Sequence, residues 1–423
     1  MGERRLHHGW LVLAVSTLVV AGALGLARFG YSLVLPAMQS SLALDNTGAG
    51  ALATANLIGY LTLSLIGGAL ASRYGPRLLA TLGMTVVGVG MLLTGTAGGF
   101  VSALIYRALT GIGSGTANVP AMALVSAWFG VRRRGLAAGI AVAGSSLALI
   151  STGPTVPRLL AARPEDGWRL AWVIFGAVAL AIALLAWIVL RNSPAELHLR
   201  PIGETQEPGA GHGARASSLD WGGVYRSGVV WHLGVVYLAF GFSYIIYMTF
   251  FVRYLVGEVG LTRQAAGNLY MLMGGFSLAC GLIWGGLSDR IGRRWAIALV
   301  YLVQITAYLL FAMAPTSTGL TLSAMLFGLT AWSIPAIMAA ACADVLGPRM
   351  APAALGFTTL FFGIGQAIGP SVAGAMADAS ASFRGGFLVA AGVTAVGLLF
   401  ATLLRAAPKP AFAALPLSPK ANP

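Results

Sequence analysis

One arginine interrupts a long apolar segment near the start of the chain. Arg28 lies past the middle of the run that extends from Trp10 to Ala37. A guanidinium at the centre of a membrane costs about 2.5–3.5 kcal/mol on insertion scales, so a partner must offset that cost. No predicted helix has an Asp or Glu near its middle. Because a guanidinium binds a carboxylate through two parallel hydrogen bonds, we expect Arg28 to bind an anionic ligand. The alternative is a structural role, in which Arg28 bonds helix carbonyl groups.

Polar and aromatic residues on other predicted helices could complete a site around Arg28. Tyr31 lies three residues further along the same helix, where side chains are neighbours. Asn56, Tyr60 and Asn118 add amide and hydroxyl groups. The candidates from the second half of the chain are mostly aromatic: Tyr244, Tyr247, Ser277, Trp332, Phe362 and Gln366. An aromatic wall opposite a cation suits an anion with an apolar body. For each residue, interhelical packing or hydrogen bonding is the alternative role.

The composition excludes a water-soluble protein. Hydrophobic residues make up 57% of the 423 residues and charged residues only 9%, compared with about 25% charged residues in soluble domains. A membrane helix needs about 20 apolar residues, and runs of that length recur along the chain. They predict an all-α integral membrane protein with twelve transmembrane helices. The predicted spans are 10–37, 48–72, 76–96, 100–128, 135–160, 168–190, 228–256, 265–288, 295–314, 317–343, 351–378 and 383–405.

The residue types also exclude several catalytic classes. The only lysines are Lys409 and Lys420, so no lysine can complete a phosphate-binding P-loop. The chain has no H-E-x-x-H motif, which a helical zinc-hydrolase site requires. We therefore expect neither an enzyme nor a bound metal or cofactor.

The charge distribution indicates orientation rather than nucleic-acid binding. The chain has 26 basic and 12 acidic residues, a net charge of +14. If both termini are cytoplasmic, eighteen Lys and Arg residues fall on that side and six on the other. This bias fits the positive-inside rule for an even number of spans, and the basic face suits contact with anionic membrane lipids.

A polar segment divides the predicted helices into two sets of six. Residues 192–226 are rich in Pro, Gly and Glu, which is typical of a linker. We predict an N-terminal six-helix bundle at 1–191, a cytoplasmic linker at 192–226 and a C-terminal six-helix bundle at 227–406. Residues 407–423 are rich in Pro and Ala and are predicted to form a disordered cytoplasmic tail.

The two halves repeat at an offset of 217 residues. Gly75 and Arg77 align with Gly292 and Arg294, and further glycines align at or near the same offset. Because each half has an even number of spans, both insert the same way up, as parallel repeats do. Such repeats bind solute between them near the middle of the membrane. The repeat therefore predicts a secondary transporter that works by alternating access.

Two loops carry a motif by which nearly the whole chain resembles the major facilitator superfamily of transporters. The pattern G-x-x-x-D-R-x-G-R-R is complete at residues 285–294, and its first copy, at 68–77, has Ser72 in place of the acid. The helix 4 pattern R-x-x-x-G-x-G begins at Arg107. The resemblance implies that charged residues of these motifs control conformational change: Arg73, Arg77, Arg107, Asp289, Arg290, Arg293 and Arg294.

Finer resemblances leave the substrate open. Residues 128–139 are similar to the bacterial monocarboxylate and oxalate/formate exchanger branch, and residues 27–38 to an orphan bacterial branch with an arginine in helix 1. The first branch usually carries an arginine in helix 8, whereas residues 270–287 are uncharged here. The resemblance implies a monomeric carrier of a small, monocarboxylate-like organic anion in the bacterial inner membrane, coupled by proton symport or anion exchange.

A partial antiporter motif in helix 5 leaves a second function open. Gly144, Gly153 and Pro154 match part of that motif, whereas its trailing glycines are missing and Pro157 is present. Together with the aromatic second half, this match makes proton-coupled efflux of drugs or metabolites the alternative function. A sensor or scaffold would need an added soluble domain, for which the linker is too short.

Overall fold

The computed structural model describes residues 7–203 and 221–404, which are almost entirely helical. Within these residues, nine helices are long and apolar enough to cross a membrane, or ten if the bent pair Arg263–Gly281 and Ile283–Ile291 counts as one span. The prediction of an all-α membrane protein is confirmed. The predicted tail and the middle of the predicted linker lie outside the described residues.

Six long helices form the first half of the described chain. They are α1 (His8–Leu42), α2 (Asn46–Tyr74), α3 (Pro76–Gly95), α4 (Phe100–Trp128), α5 (Val131–Ala162) and α6 (Gly167–Val189). Helix α1 continues beyond the predicted end at residue 37, because Pro36 is accommodated inside it. Helices α2 and α4 are not among the nine apolar spans, although each has 29 residues and is therefore long enough to cross a bilayer.

The second half follows a short helix at Trp221–Arg226. Its long helices are α7 (Gly228–Gly257), α8 (Arg263–Ile291), α9 (Arg293–Met313), α10 (Ser317–Thr330), α11 (Ser333–Ser380) and α12 (Arg384–Leu403).

The predicted spans 317–343 and 351–378 agree with two apolar spans of the structure, but they are not separate helices. Helix α11 continues without interruption from one span to the other, and a break lies at residues 331–332, between α10 and α11. The sequence has two prolines near residue 350, within α11. A membrane helix tolerates proline where its surroundings satisfy the freed backbone groups. Two separate apolar spans, Ser317–Leu346 and Ala353–Ser380, are nevertheless present.

The internal repeat is confirmed at the loops after α2 and α8. Helices α2 and α8 begin and end at positions separated by 217 residues, and the helices α3 and α9 that follow them begin at the same separation. Gly75 and Gly292 form the two turns, each with a φ of 88°. Glycine adopts this conformation easily because it has no Cβ atom. The same backbone turn therefore recurs at equivalent positions of the two halves.

Helices α1–α6 pack mainly with one another, as do α7–α12, and we refer to them as the N-terminal and C-terminal bundles. The bundles meet along a seam where α2 packs on α11, α5 on α8 and α1 on α7. Small residues permit the close approach. A Cβ atom on Gly267 would lie 2.1 Å from the Gly153 carbonyl oxygen, and one on Gly50 would lie 2.3 Å from the Pro370 oxygen.

Hydrogen bonds fasten the seam at one end, formed by the loops at 43–45, 258–262 and 381–383, which we call the closed end. The Asp378 carboxylate of α11 accepts hydrogen bonds from the backbone of Asn46 at 2.9 Å and of Thr47 at 2.7 Å, and from the Thr47 hydroxyl at 2.5 Å. This carboxylate caps the N-terminus of α2, where the helix dipole favours a negative charge. Nearby, Arg253 Nε donates to Gln39 Oε1 at 2.8 Å.

We predict that Asp378→Ala increases the fraction of molecules in which the closed end is open. Loss of these bonds should cost about 1–2 kcal/mol, which changes an equilibrium about 5–30-fold. The measurement is the rate at which a maleimide labels Thr54→Cys, since Thr54 contacts Ala367 and Ser371 across the seam.

The control is Asp166→Ala, because Asp166 contacts Arg169 of its own bundle. An equal labelling rate in the Asp378 and Asp166 variants would contradict the prediction.

Candidate functional site

Arg28 lies in an irregular part of α1 at the seam. Residues Ala21–Phe29 form a π-helical segment between two α-helical parts, an arrangement frequent at functional sites. The segment packs closely on α5, since a Cβ atom on Gly25 would lie 2.2 Å from the Ala148 Cβ atom. The Arg28 residue is only 8% exposed. The local packing of α1 therefore holds a charged side chain inside the protein.

The backbone on both sides of Arg28 is held by hydrogen bonds from the two bundles. The Ala27 carbonyl accepts a bond from Arg107 Nη1 at 2.5 Å, and the Phe29 carbonyl accepts one from the Tyr270 hydroxyl at 2.7 Å. Arg107 belongs to α4 and Tyr270 to α8. The position of Arg28 therefore depends on how the bundles meet.

The Arg28 guanidinium is buried with two of its nitrogen atoms unpaired. Nε and Nη2 have no hydrogen-bond partner among the described residues, and no described carboxylate forms an ion pair with Arg28. These two N–H groups share one edge of the guanidinium plane, the edge that can bind a carboxylate or sulfonate through two parallel bonds. The Cζ atom lies 4.3 Å from the centre of the Tyr60 ring, and the Tyr244 hydroxyl interacts with the guanidinium from α7.

Two amides support the tyrosines beside Arg28. Asn118 Nδ2 donates to the Tyr60 hydroxyl at 3.1 Å in the N-terminal bundle. Gln366 Nε2 donates to the Tyr244 hydroxyl at 2.7 Å in the C-terminal bundle. The structure thus brings together five residues that the sequence analysis selected, from both sides of the seam.

Parallel aromatic rings of α7 and α11 form a slab that includes Tyr244. The ring centres of Tyr237 and Phe362 are 4.4 Å apart, and those of Phe240 and Tyr244 are 4.9 Å apart. The planes in these pairs differ by 14° and 6°. Because Tyr244 also interacts with Arg28, the slab places an apolar surface next to the cation.

Three other candidates use their polar groups in packing. The Tyr31 hydroxyl donates to the Ala49 carbonyl at 2.9 Å, Asn56 Nδ2 donates to the Arg107 carbonyl at 3.1 Å, and the Tyr247 hydroxyl pairs with Ser323 at 2.7 Å. The Tyr31 ring lies against Arg107 rather than Arg28.

Ser277 and Trp332 meet at a serine that the sequence analysis missed. Ser146 Oγ of α5 accepts bonds from Ser277 Oγ at 2.6 Å and from Trp332 Nε1 at 3.0 Å. The Trp332 ring lies 5.2 Å from that of Phe29. The consecutive serines 145 and 146 in an apolar helix were the available signal. This cluster joins the bundles next to Arg28.

Arg107 is a second buried guanidinium, but it is enclosed by the N-terminal bundle. Its Cζ atom lies 4.7 Å from the centre of the Tyr31 ring and 5.2 Å from a ring centre of Trp172. Its Nη1 atom donates to the Ala27 carbonyl, whereas its Nε atom has no hydrogen-bond partner among the described residues. The geometry is that of a residue that fastens α4 to α1 and α6.

The loop motifs lie at the end of the molecule opposite the closed end. Arg293 pairs with Asp289 at 2.5 Å and with Asp344 at 3.0 Å, all within the C-terminal bundle. Arg77 donates to the Trp187 carbonyl at 2.6 Å within the N-terminal bundle. The same two motifs also contain Arg73, Arg290 and Arg294. The role of these residues in gating stays a prediction.

Comparison with known proteins identifies the family. A family model described as "Uncharacterised MFS-type transporter YbfB" matches residues 20–404, which is most of the chain. The chain belongs to this family. It is therefore a membrane transporter of the major facilitator superfamily and not an enzyme, as the sequence analysis predicted.

Several relatives of this transporter are named for organic anions. It is 28% identical over 394 residues to the probable sulfoacetate transporter SauU of Cupriavidus necator, a match that covers 88% of each chain. It is 27% identical to the hexuronate transporter of Bacillus subtilis, with 89% of this chain and 90% of the relative covered. Identity to monocarboxylate transporter 13 of Bos taurus is 25%, covering 77% and 73% of the two chains.

Solved structures establish the fold of this transporter. A bacterial homolog of the human lysosomal transporter Spinster, in an inward-facing and unoccupied conformation, matches with a TM-score of 0.76 at 16% identity, covering 95% of this chain and 98% of that one. The nucleoside transporter NupG matches with a TM-score of 0.71 at 13% identity, covering 94% and 99%. Both similarities confirm the predicted superfamily fold.

We predict opposite effects on stability for the two buried arginines. Arg28→Met removes a buried charge with unpaired donors, so thermal stability in detergent should stay the same or rise. Arg107→Met removes the bond to Ala27, which should cost about 1.5–3 kcal/mol. Thermal unfolding of the purified variants measures both effects. A loss of stability in the Arg28 variant as large as in the Arg107 variant would assign Arg28 a structural role.

Proposed function

We propose that this protein is a secondary transporter of a small organic anion, with Arg28 as the residue that binds the anionic group. The observation that carries the proposal is the buried edge of the Arg28 guanidinium, where Nε and Nη2 lack partners among the described residues. A buried donor without a partner costs free energy. An anion that accepts both hydrogen bonds removes this cost and neutralises the charge.

The surroundings of Arg28 support a ligand with one anionic group and a less polar body. The anionic group accepts the two bonds from Arg28, while the Tyr60 and Tyr244 hydroxyls and their amide partners offer further hydrogen bonds. The ring slab that contains Phe362 covers the rest of the ligand. The names of the relatives support this class, since sulfoacetate, hexuronates and monocarboxylates are all organic anions.

Alternating access is the proposed mechanism. The two bundles rock about the site, and the bonds that Asp378 and Arg253 make across the seam break when the closed end opens. In this proposal the protein has twelve spans, with bundles at 1–191 and 227–406, and it works as a monomer. It lies in the bacterial inner membrane with both termini in the cytoplasm.

The proposed coupling is either proton symport or anion exchange. Transporters commonly carry protons on buried carboxylates or histidines, and no described carboxylate pairs with Arg28. The substrate therefore brings its own proton or is exchanged for a second anion. For the same reason efflux of cationic drugs is the weaker alternative, because a cation would meet the Arg28 charge uncompensated.

We predict that Arg28→Gln lowers uptake of the transported anion about 100-fold and Arg28→Lys about 10-fold. Glutamine removes the charge and both parallel bonds, whereas lysine keeps the charge but not the two-bond geometry. Each factor of ten corresponds to about 1.4 kcal/mol. The measurement is the uptake of a radiolabelled anion into proteoliposomes. Sulfoacetate, a hexuronate and a monocarboxylate are each tested separately.

Arg384→Gln serves as the matched control, because Arg384 is an exposed arginine at the closed end. Unfolding temperatures measured with and without each anion show whether the variants still fold and bind, since a ligand stabilises by mass action. Equal uptake by wild type and Arg28→Gln would reject Arg28 as the anion site.

A second prediction separates two tyrosines of α7. Tyr244→Phe should lower the apparent affinity for the anion several-fold, because its hydroxyl faces Arg28 and accepts the Gln366 bond. Tyr247→Phe should leave that affinity unchanged, since its hydroxyl pairs with Ser323 inside the C-terminal bundle. The KM of uptake measures both effects. A larger KM change in the Tyr247 variant would contradict the assignment.

A further inference from the structure

A polar cavity lies in the seam at the closed end, apart from Arg28. Its volume is about 420 Å³, within the range of about 300–1,000 Å³ typical of small-molecule sites. Both bundles contribute to its wall, and the polar lining residues are Gln39, Ser40, Asp45, Asn46, Arg253 and Arg263. The cavity therefore exists only where the bundles meet.

The charges in this cavity favour an anion. Two guanidinium groups, of Arg253 and Arg263, face one carboxylate, and neither arginine forms an ion pair among the described residues. The Asp45 carboxylate accepts a bond from the Gly48 backbone at 2.6 Å, so the N-terminus of α2 already compensates its charge. The neighbouring Glu258 carboxylate accepts a bond from the Phe383 backbone at 2.7 Å.

Gln39 holds one of these cations in place. Its Oε1 atom accepts a bond from Arg253 Nε at 2.8 Å, and its Nε2 atom donates to Asn46 Oδ1 at 3.2 Å. A single Arg253 nitrogen is used in this bond, so the terminal nitrogens remain for a ligand. An amide in this position orients the arginine without cancelling its charge, as a carboxylate would.

The cavity lies between the closed end and Arg28 along α1. Gln39 follows Arg28 by eleven residues, a distance of about 16 Å along the helix axis. A solute that enters or leaves through the closed end therefore passes the cavity arginines and then Arg28.

We propose that this cavity is a second anion-binding site, which takes small organic carboxylates or sulfonates as they pass between the closed end and Arg28. The proposal rests on the proposed function. Arg253 and Arg263 attract the anionic group, and Gln39 positions Arg253. Because two cations face a single carboxylate, the lining has a net positive charge, which attracts anionic solutes.

The test uses small charged thiol reagents, so it does not depend on knowing the substrate. Ser40 lines the cavity and is exposed, and both native cysteines are buried. In Ser40→Cys protein, the rate of reaction with an anionic methanethiosulfonate should exceed the rate with a cationic one. Each rate is first divided by the rate of the same reagent with a free thiol in solution. Arg263→Gln should lower the rate with the anionic reagent about five-fold, the size expected for one unit charge close to the reagent in water, and raise the rate with the cationic reagent, so that the ratio of the anionic to the cationic rate falls.

Two further variants separate the effect of charge inside the cavity from the effect of charge elsewhere on the surface. Gln39→Glu keeps both arginines but adds a carboxylate next to Arg253, so it should also lower the ratio. Arg384→Gln removes an exposed arginine of the closed end that does not line the cavity, and it should leave the ratio unchanged. A ratio of one or less in the Ser40→Cys protein, or an equal fall in the Arg384 variant, would overturn the proposal.

Transport measurements separate this proposal from the proposed function. Arg263→Gln should raise the KM of anion uptake several-fold at low salt and leave the maximal rate unchanged. If the reagents show the anionic preference but no anion is transported, the proposed function fails and the cavity site stands. If transport depends on Arg28 but the reagents show no preference, the cavity proposal fails alone.

Discussion

A buried positive charge without a compensating acid governs this structure. Arg28 is held between two bundles with two N–H groups unpaired among the described residues, although a charge in a membrane protein interior is costly. The surroundings reduce that cost only in part, through the face of the Tyr60 ring and the Tyr244 hydroxyl. In the proposed function, an anionic solute supplies the missing interaction, so the site would be most stable when it is occupied.

The architecture around Arg28 makes its environment depend on the contact between the bundles. Arg107 holds the carbonyl on one side of Arg28 and Tyr270 of the other bundle holds the carbonyl on the other side. In the proposed mechanism, separation of the bundles would break the bond from Tyr270 and remove Tyr244 from the guanidinium. The charge would then meet different partners in the two access states, which is what a ligand needs in order to shift a conformational equilibrium. Glycines at the seam allow this contact because they let backbones approach closely.

Much of the fold was predictable because it follows from local composition. Apolar runs of membrane length, the loop glycines at 75 and 292 and the repeat offset are all visible in the chain itself. The errors arose where tertiary packing overrides local preference. Residues 21–29 form a π-helical segment that includes Arg28, and α11 joins two predicted spans in one continuous helix. Residue type alone did not identify which tyrosines face Arg28. The hydroxyl groups of Tyr31 and Tyr247 form hydrogen bonds within their own bundles instead.

The sequence by itself determined that this is a helical membrane protein of two repeated halves with a lone arginine in its first span. Hydropathy, charge asymmetry and motif spacing are properties of neighbouring residues, so they need no coordinates. Only the tertiary structure decided which groups face that arginine, that its Nε and Nη2 atoms have no partner in the described part of the chain, and that Gln39 and Arg253 line a cavity where the bundles meet. These relations join residues from α1, α2, α7 and α11, and the orientation of each helix about its axis is set by the packing of its neighbours.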